Sequence, residues 1–396
     1  MHTDLGPFRL HYRIGRGGSG EIWRGVHRPS RTPVAIKLLH RSDDAFVERF
    51  RAEVHAAARL NHVHIATMLD FGLVLEEGVR PVGSPYLVTE LAQGSCEEDP
   101  PTSFLELREL LLAVLDALSH AHARGLLHLD VKPSNILITH NGPKLTDFGV
   151  AVAIGQAGGG GTWAFAAPEH HAGELLDERA DVYGVGRTAE VLSASLSDLP
   201  TKWREWLDQL VARERDDRFP TCADAARALL LLDEAPAEGH LPKSDGSLTL
   251  FDAGLSLVGL REPTLVGRDD EFSALWASLQ QVQQSGRAKV VVLSGGAGVG
   301  KSRLAREVGE SAAALGLASC VRASHDDDGA PGHGLRRLVA NILGGTDRLS
   351  ERLNRHLCDG STPPGEARAL EAMLGPAPPG LRDQLMLTTR ALARRL

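Results

Sequence analysis

The sequence predicts a strand-rich lobe followed by a helix-rich lobe, an α+β bilobal arrangement, and then a second segment of α/β type. Three observations carry this. Runs of β type broken by glycine fill residues 8–38. Helical periodicity dominates after Phe104. A strand–turn–helix pattern then follows a break at 234–263 that is rich in Pro, Gly, Ser and Asp.

In the first lobe, residues 12–15 and 21–26 read as strands flanking a glycine-rich turn. Residues 32–39 form a third strand, and 86–90 a further one. Residues 44–60 switch to helical spacing, with Phe46, Phe50, Val54, Ala57 and Ala58 on one face. In the second lobe, 107–124 reads as a strongly apolar helix stopped by Gly125, and helical patterns recur at 180–196, 202–214 and 222–232. Beyond the break, 269–284 reads as a helix, 289–293 as a short apolar strand and 303–315 as a helix.

Composition narrows the function classes. A chain of 396 residues allows two or three domains, and 42 % apolar residues suffice for real cores. A net charge of −8 argues against a nucleic-acid-binding surface. The four cysteines include no C-x-x-C pair and read as free thiols of a reducing cytoplasm. The start, MHTDLGPFRL, lacks the pattern of a signal peptide. The most apolar stretch, 248–260, is too short to span a bilayer and contains Asp252. A soluble cytoplasmic protein is expected.

Gly15, Gly17 and Gly20 form G-x-G-x-x-G between two strands, where backbone N–H groups can approach phosphate oxygens. A dinucleotide site would need a helix next. Lys37 lies in the apolar strand Val34-Ala35-Ile36-Lys37, and a lysine buried there needs a counter-charge; Glu53 on the following helix offers one. Asp130, Lys132 and Asn135 fall within six residues after the apolar helix, and Asp147-Phe148-Gly149 follows. Asp130 could accept a hydroxyl proton, and Asn135 and Asp147 are hard oxygen ligands suited to Mg²⁺. Each motif alone also fits a surface lysine or an Asp/Asn-rich turn. Their joint order and spacing, completed by Ala167-Pro168-Glu169, resemble the protein kinase signature set.

The resemblance is to the eukaryotic-like serine/threonine kinases of bacteria and covers residues 8–233. It implies a bilobal kinase fold, ATP and Mg²⁺ as cofactors, and proteins bearing Ser or Thr as substrates. It also implies roles. Ile14, Gly15, Gly17, Gly18, Ser19, Gly20, Ile22 and Ala35 would enclose the nucleotide, with Glu90 and Ala92 at the adenine hinge after Thr89. Lys37 would hold the α- and β-phosphates and pair with Glu53. Asp130 would be the base, Lys132 would neutralise the transferred phosphate, and Asn135 and Asp147 would bind metal. Asp181 would brace the catalytic loop, and Glu169 and Arg218 would form a structural ion pair.

Two features depart from that family. Leu129 stands where the family has an arginine that docks a phosphorylated activation loop. The loop's one hydroxyl between Asp147 and Ala167 is Thr162, which in family terms contacts the catalytic aspartate and lysine. Control by loop phosphorylation is therefore not expected. A pseudokinase scaffold that binds nucleotide without transfer is the alternative, with Leu129 as its support.

Residues 234–263 read as a linker and 264–396 as a partial α/β domain. Gly295, Gly298, Gly300, Lys301 and Ser302 belong to a G-x-x-x-x-G-K-S turn, the phosphate-cradling P-loop. Residues 265–272 resemble the opening of AAA-type regulatory ATPases, which implies signalling partners for this segment. After Ser302 no run of four apolar residues ends in an acid, so weak nucleotide binding without hydrolysis is expected, and a switch ATPase is the less supported reading.

Overall fold

Alternation along the first strands sorts the small-lobe sheet into two faces. Val34, Ile36, Leu38 and Val88 point into one apolar core with Phe8 and Leu10. The residues between them face the opposite side. The computed structural model describes residues 3–17, 20–40, 43–75, 81–148, 152–156, 161–232, 250, 253–254, 257, 260 and 265–322.

Strands β1 (Thr3–Leu5), β2 (Phe8–Arg16), β3 (Gly20–His27) and β4 (Pro33–Leu39) are followed by helix α1 (Asp44–Ala57) and by β5 (Met68–Leu73) and β6 (Pro85–Glu90). The six strands form one antiparallel sheet in the order β1-β2-β3-β4-β6-β5. Asp43 caps α1 by accepting from the Phe46 amide. Phe50 and Val54 of α1 share a second small-lobe cluster with Leu39 and Ala58. Strand β5 was not expected from the sequence.

After β7 (Gly94–Ser95), the large lobe is built on α2 (Phe104–His122), whose Leu107, Leu111, Leu115 and Leu118 are fully buried. The helix begins three residues before the expected start, because Ser103 caps it by accepting from the Glu106 amide while Glu106 accepts from the Thr102 amide. It ends at His122, two residues short of the expected 124, and the chain turns away at Gly125, which has φ +77° and donates to the His122 carbonyl. The short strands β8 (Leu126–Leu127), β9 (Ile136–Thr139), β10 (Gly142–Leu145) and β11 (Val152–Ala153) form small antiparallel pairings with one another and with β7. Helices α3 (Pro168–His171), α4 (Arg179–Ser193), α5 (Trp203–Leu210) and α6 (Cys222–Leu230) complete the lobe. Trp203 and Trp206 of α5 join the core around α2.

Helices α7 (Asp269–Ser285) and α8 (Lys301–Ala314) match the expected positions, but the strand expected at 289–293 is not formed. Val290 and Val292 are 88 % and 81 % exposed. A parallel strand is made by its neighbours, and no strand among the described residues lies beside this run. Helix α8 packs against the large lobe instead, where Glu310 meets Arg124 at 3.4 Å and the Leu315 carbonyl accepts from Arg227. Within 234–263, Leu250 and Ala253 pack on the core of the small-lobe sheet, while Leu257 and Leu260 join the cluster of α1. Among the described residues, no helix is long and apolar enough to cross a membrane.

Candidate active site

Sheet register sets the roof of the cleft. Ile22 lies opposite Lys37, and Ala35 opposite Thr89, so these four share the face turned away from the Phe8 core. Gly15 lies opposite Ile22, and the Gly17 amide donates to the Gly20 carbonyl, closing the turn between β2 and β3. Gly20 has a steric reason to be glycine: a Cβ there would stand 2.3 Å from the Leu38 carbonyl oxygen. Ile14 and Ile22 are 46 % and 37 % exposed, leaving apolar surface over the cleft. Gly18, Ser19 and the Glu53 side chain lie outside the described residues, as does Gly149.

Glu90 ends β6 and Ala92 lies just beyond it. The Glu90 carboxylate accepts from Lys144 at 2.8 and 3.0 Å and from the Thr67 amide at 2.7 Å. Its side chain thus ties the crossing between the lobes. The sequence carried no sign of this pair, because Lys144 is distant in the chain and belongs to no motif.

Below the sheet, Lys37 donates to both carboxylate oxygens of Asp147 at 2.5 Å. The Asp147 carboxyl is held below the usual carboxylate range: burial opposes its charge, and Lys37 overcomes this with help from His128 and Lys132. Asp147 also sits at φ +65°, a strained backbone that aims it at the lysine. Phe148 beside it is buried in the large-lobe core and packs edge-on against His128, 4.5 Å between ring centres. His128 in turn bonds the Thr146 carbonyl through Nε2 at 2.9 Å.

Asp130 is held from three sides. Its Oδ1 accepts from the Thr162 amide at 2.8 Å, and its Oδ2 accepts from Lys132 at 2.7 Å and from Asn135 at 3.0 Å. Lys132 donates also to the Thr162 hydroxyl at 2.6 Å, the contact expected of Thr162. Asn135 spends its Nδ2 on the carbonyl and carboxylate of Asp130, which leaves its amide oxygen to serve as a ligand. That donor set, an amide oxygen and a carboxylate, fits Mg²⁺, which takes few protein ligands and completes its shell with water and phosphate.

The support behind these groups is equally specific. Asp181 accepts from the amides of His128 and Leu129, each at 2.7 Å, and from His122 at 2.8 Å. Burial opposes the Asp181 charge, but His122 and then His128 hold its carboxyl below the usual range. Arg218 grips Glu169 at 2.7 and 2.9 Å, with both side chains buried. Burial likewise opposes the Glu169 charge, and Arg218 overcomes it. Leu129 is buried beside Leu127, Ala167, Leu176 and Ala180, with Ile154 packed against them. An apolar anchor therefore occupies the place of the family's arginine. The role of His122 was not read from the sequence, where it is one histidine among 17.

The lowered carboxyls set a pH response. A group whose folded pKa is depressed contributes stability above its unfolded pKa and loses it as pH falls through the folded value. For Asp147, Glu169 and Asp181 the contribution is therefore full above roughly pH 5 and drains away below roughly pH 4. The urea midpoint should fall steeply on acidification through that range, and Glu169→Gln should flatten part of the fall. An equally steep profile in that variant would contradict the assignment.

In the C-terminal segment Gly295, Gly298 and Gly300 line the turn that opens α8. Lys301 donates to the carbonyls of Gly295 and Gly296 at 3.0 and 2.7 Å, and Ser302 lies in the first turn of the helix.

The family model described as protein kinase domain matches residues 8–212, and that described as AAA ATPase domain matches 264–396. Over 200 residues the chain is 40 % identical to the serine/threonine-protein kinase PknA of Mycobacterium tuberculosis, covering 46 % of this chain and 46 % of that protein. Over 272 residues it is 30 % identical to the probable serine/threonine-protein kinase PknB of Bifidobacterium longum, covering 57 % and 39 %. The crystal structure of the Mycobacterium tuberculosis PknI kinase domain matches at 27 % identity and a TM-score of 0.47, covering 58 % of this chain and 98 % of that one. The chain spans less than half the length of these curated relatives. With a kinase domain matched over more than half its length, the chain belongs to the protein kinase family.

Proposed function

We propose that the chain transfers the γ-phosphoryl group of ATP to serine or threonine hydroxyls of proteins in the cytoplasm. One observation carries this reading: Asp130, Lys132 and Thr162 form a closed network beside the Lys37–Asp147 pair. The nucleotide would lie under Ile14, Ile22 and Ala35, with adenine against the backbone of Glu90 and Ala92 and phosphates under Gly15, Gly17, Gly18, Ser19 and Gly20.

The substrate hydroxyl approaches Asp130, which accepts its proton as the oxygen–phosphorus bond forms and the bond to the ADP oxygen breaks. Lys132 is placed to offset charge on the moving phosphoryl group, and Lys37 on the phosphates that stay behind. Mg²⁺ held by Asn135 and Asp147 would neutralise the phosphate oxygens. Thr162 is held on Asp130 through its own amide and on Lys132 through its own hydroxyl. Leu129, next to Asp130 in the chain, is fixed by apolar packing, not by charge. Phosphatase treatment of the purified chain should therefore leave kcat within about twofold, since no charge-assisted contact is lost. A collapse of activity on dephosphorylation of the loop would refute this.

The test of the function is transfer of radiolabelled phosphate from ATP to the chain itself and to casein. Nucleotide binding without transfer would return the scaffold reading. Residues 264–396 are proposed as a regulatory nucleotide-binding segment that engages signalling partners, with Gly295, Gly298, Gly300, Lys301 and Ser302 as its phosphate cradle.

A further inference from the structure

Residues 234–263 have the composition of a linker, yet part of this span is built into the small lobe. Leu257 is 1 % exposed and shares one apolar cluster with Leu39, Phe50, Val54 and Ala58. Leu250 and Ala253 reach the neighbouring core behind β4 and β6. Gly254 lies so close to β5 that a Cβ would stand 2.7 Å from the Leu69 carbonyl oxygen, and its φ of +72° favours glycine. The Leu257 amide donates to the Gly254 carbonyl at 2.9 Å, and the Leu260 amide to the Leu257 carbonyl at 3.0 Å.

The location gives this contact its meaning. Leu39 lies two residues beyond Lys37 on β4, and Phe50 and Val54 flank Glu53 on α1. Leu257 is thus wedged where the strand carrying the phosphate-binding lysine meets the helix carrying the residue proposed as its partner. Packed cores shift between discrete arrangements and do not deform smoothly, so removing a wedge lets the helix take another seat. We infer that Leu257 is a positioning residue of the kinase, supplied from outside the catalytic lobes, which seats α1 against β4. This rests on the proposed phosphotransfer activity. The segment matched as an ATPase domain begins at residue 264, seven residues after Leu257.

The test uses the full chain carrying Leu257→Asp, Leu257→Met or Gly254→Val. Initial rates of casein phosphorylation are measured across ATP concentrations, together with hydrogen exchange of residues 44–57 and the thermal midpoint. Leu257→Asp and Gly254→Val should each lower kcat by roughly 10- to 100-fold with little change in the KM for ATP, as expected when catalytic groups are displaced by about an ångström. Exchange in 44–57 should accelerate selectively, and Leu257→Met should restore both readouts. Wild-type kcat in a folded Leu257→Asp chain would overturn the inference. So would loss of kcat accompanied by uniform acceleration of exchange in every element. If Leu257→Asp fails to fold, Gly254→Val decides on the same two readouts. A wild-type chain that binds ATP without transfer would sink the kinase reading alone, and the exchange data would still decide whether Leu257 seats α1.

Discussion

Asp130→Asn is expected to lower kcat by roughly 10²- to 10⁴-fold, the range for loss of a general base, with the fold intact. The substitution keeps the shape of the side chain, so Oδ1 can still accept from the Thr162 amide. What changes is the other oxygen. An amide NH₂ in its place faces the Lys132 ammonium and the Asn135 NH₂, three donors with no acceptor among them. The substrate proton loses its destination, and Lys132 loses the carboxylate that aims it. Transfer of labelled phosphate measures the first effect, and a thermal midpoint near that of the wild type excludes unfolding as the cause. Activity within tenfold of the wild type would show that Asp130 is not the base.

Arg218→Met should destabilise the chain by about 3–5 kcal/mol, the usual cost of stranding one partner of a buried ion pair. Arg218 is fully buried and satisfies more than Glu169. It donates to the carbonyls of Ala212, Arg179 and Arg213, and its guanidinium lies 4.9 Å from the Tyr183 ring centre. One side chain thereby pins the start of α3, the start of α4 and the loop after α5. Methionine fills the volume but strands the Glu169 charge and takes the guanidinium's bonds from three carbonyls. Urea unfolding measures the loss. Adding Glu169→Gln to Arg218→Met should recover part of it, because the stranded charge is then gone. A loss under 1 kcal/mol would show that water replaces the arginine.

Much of this site is legible in the chain because phosphoryl transfer needs a fixed set of charges at fixed spacings. Lys37, Asp130, Lys132, Asn135 and Asp147 each stand in a motif; the structure bonds Lys132 and Asn135 to Asp130 and places Lys37 on Asp147. What escaped the sequence has a common cause. The Lys144–Glu90 pair and the His122–Asp181 bond link residues 54 and 59 apart, and nothing local marks Lys144 or His122. Leu257 did leave a trace: Leu250, Ala253, Gly254 and Leu257 follow the i, i+3, i+4, i+7 spacing of one helical face. The Pro, Gly, Ser and Asp of residues 234–263 outweighed that signal. The strand expected at 289–293 failed for the opposite reason, since a run of valines states a preference that only flanking strands can realise.

The contact between Lys301 and two loop carbonyls bears on what nucleotide affinity would measure in the cradle proposed for the C-terminal segment. Gly295 and Gly296 engage two of the ammonium's three donors, so in the proposed cradle an arriving phosphate finds one donor free and competes with neutral oxygens for the other two. If the proposed nucleotide site needs those two donors as well, its observed affinity would be the intrinsic affinity reduced by the fraction of molecules in which Lys301 has let go. A self-latched cradle of this kind responds to whatever loosens the latch as much as to the concentration of its ligand.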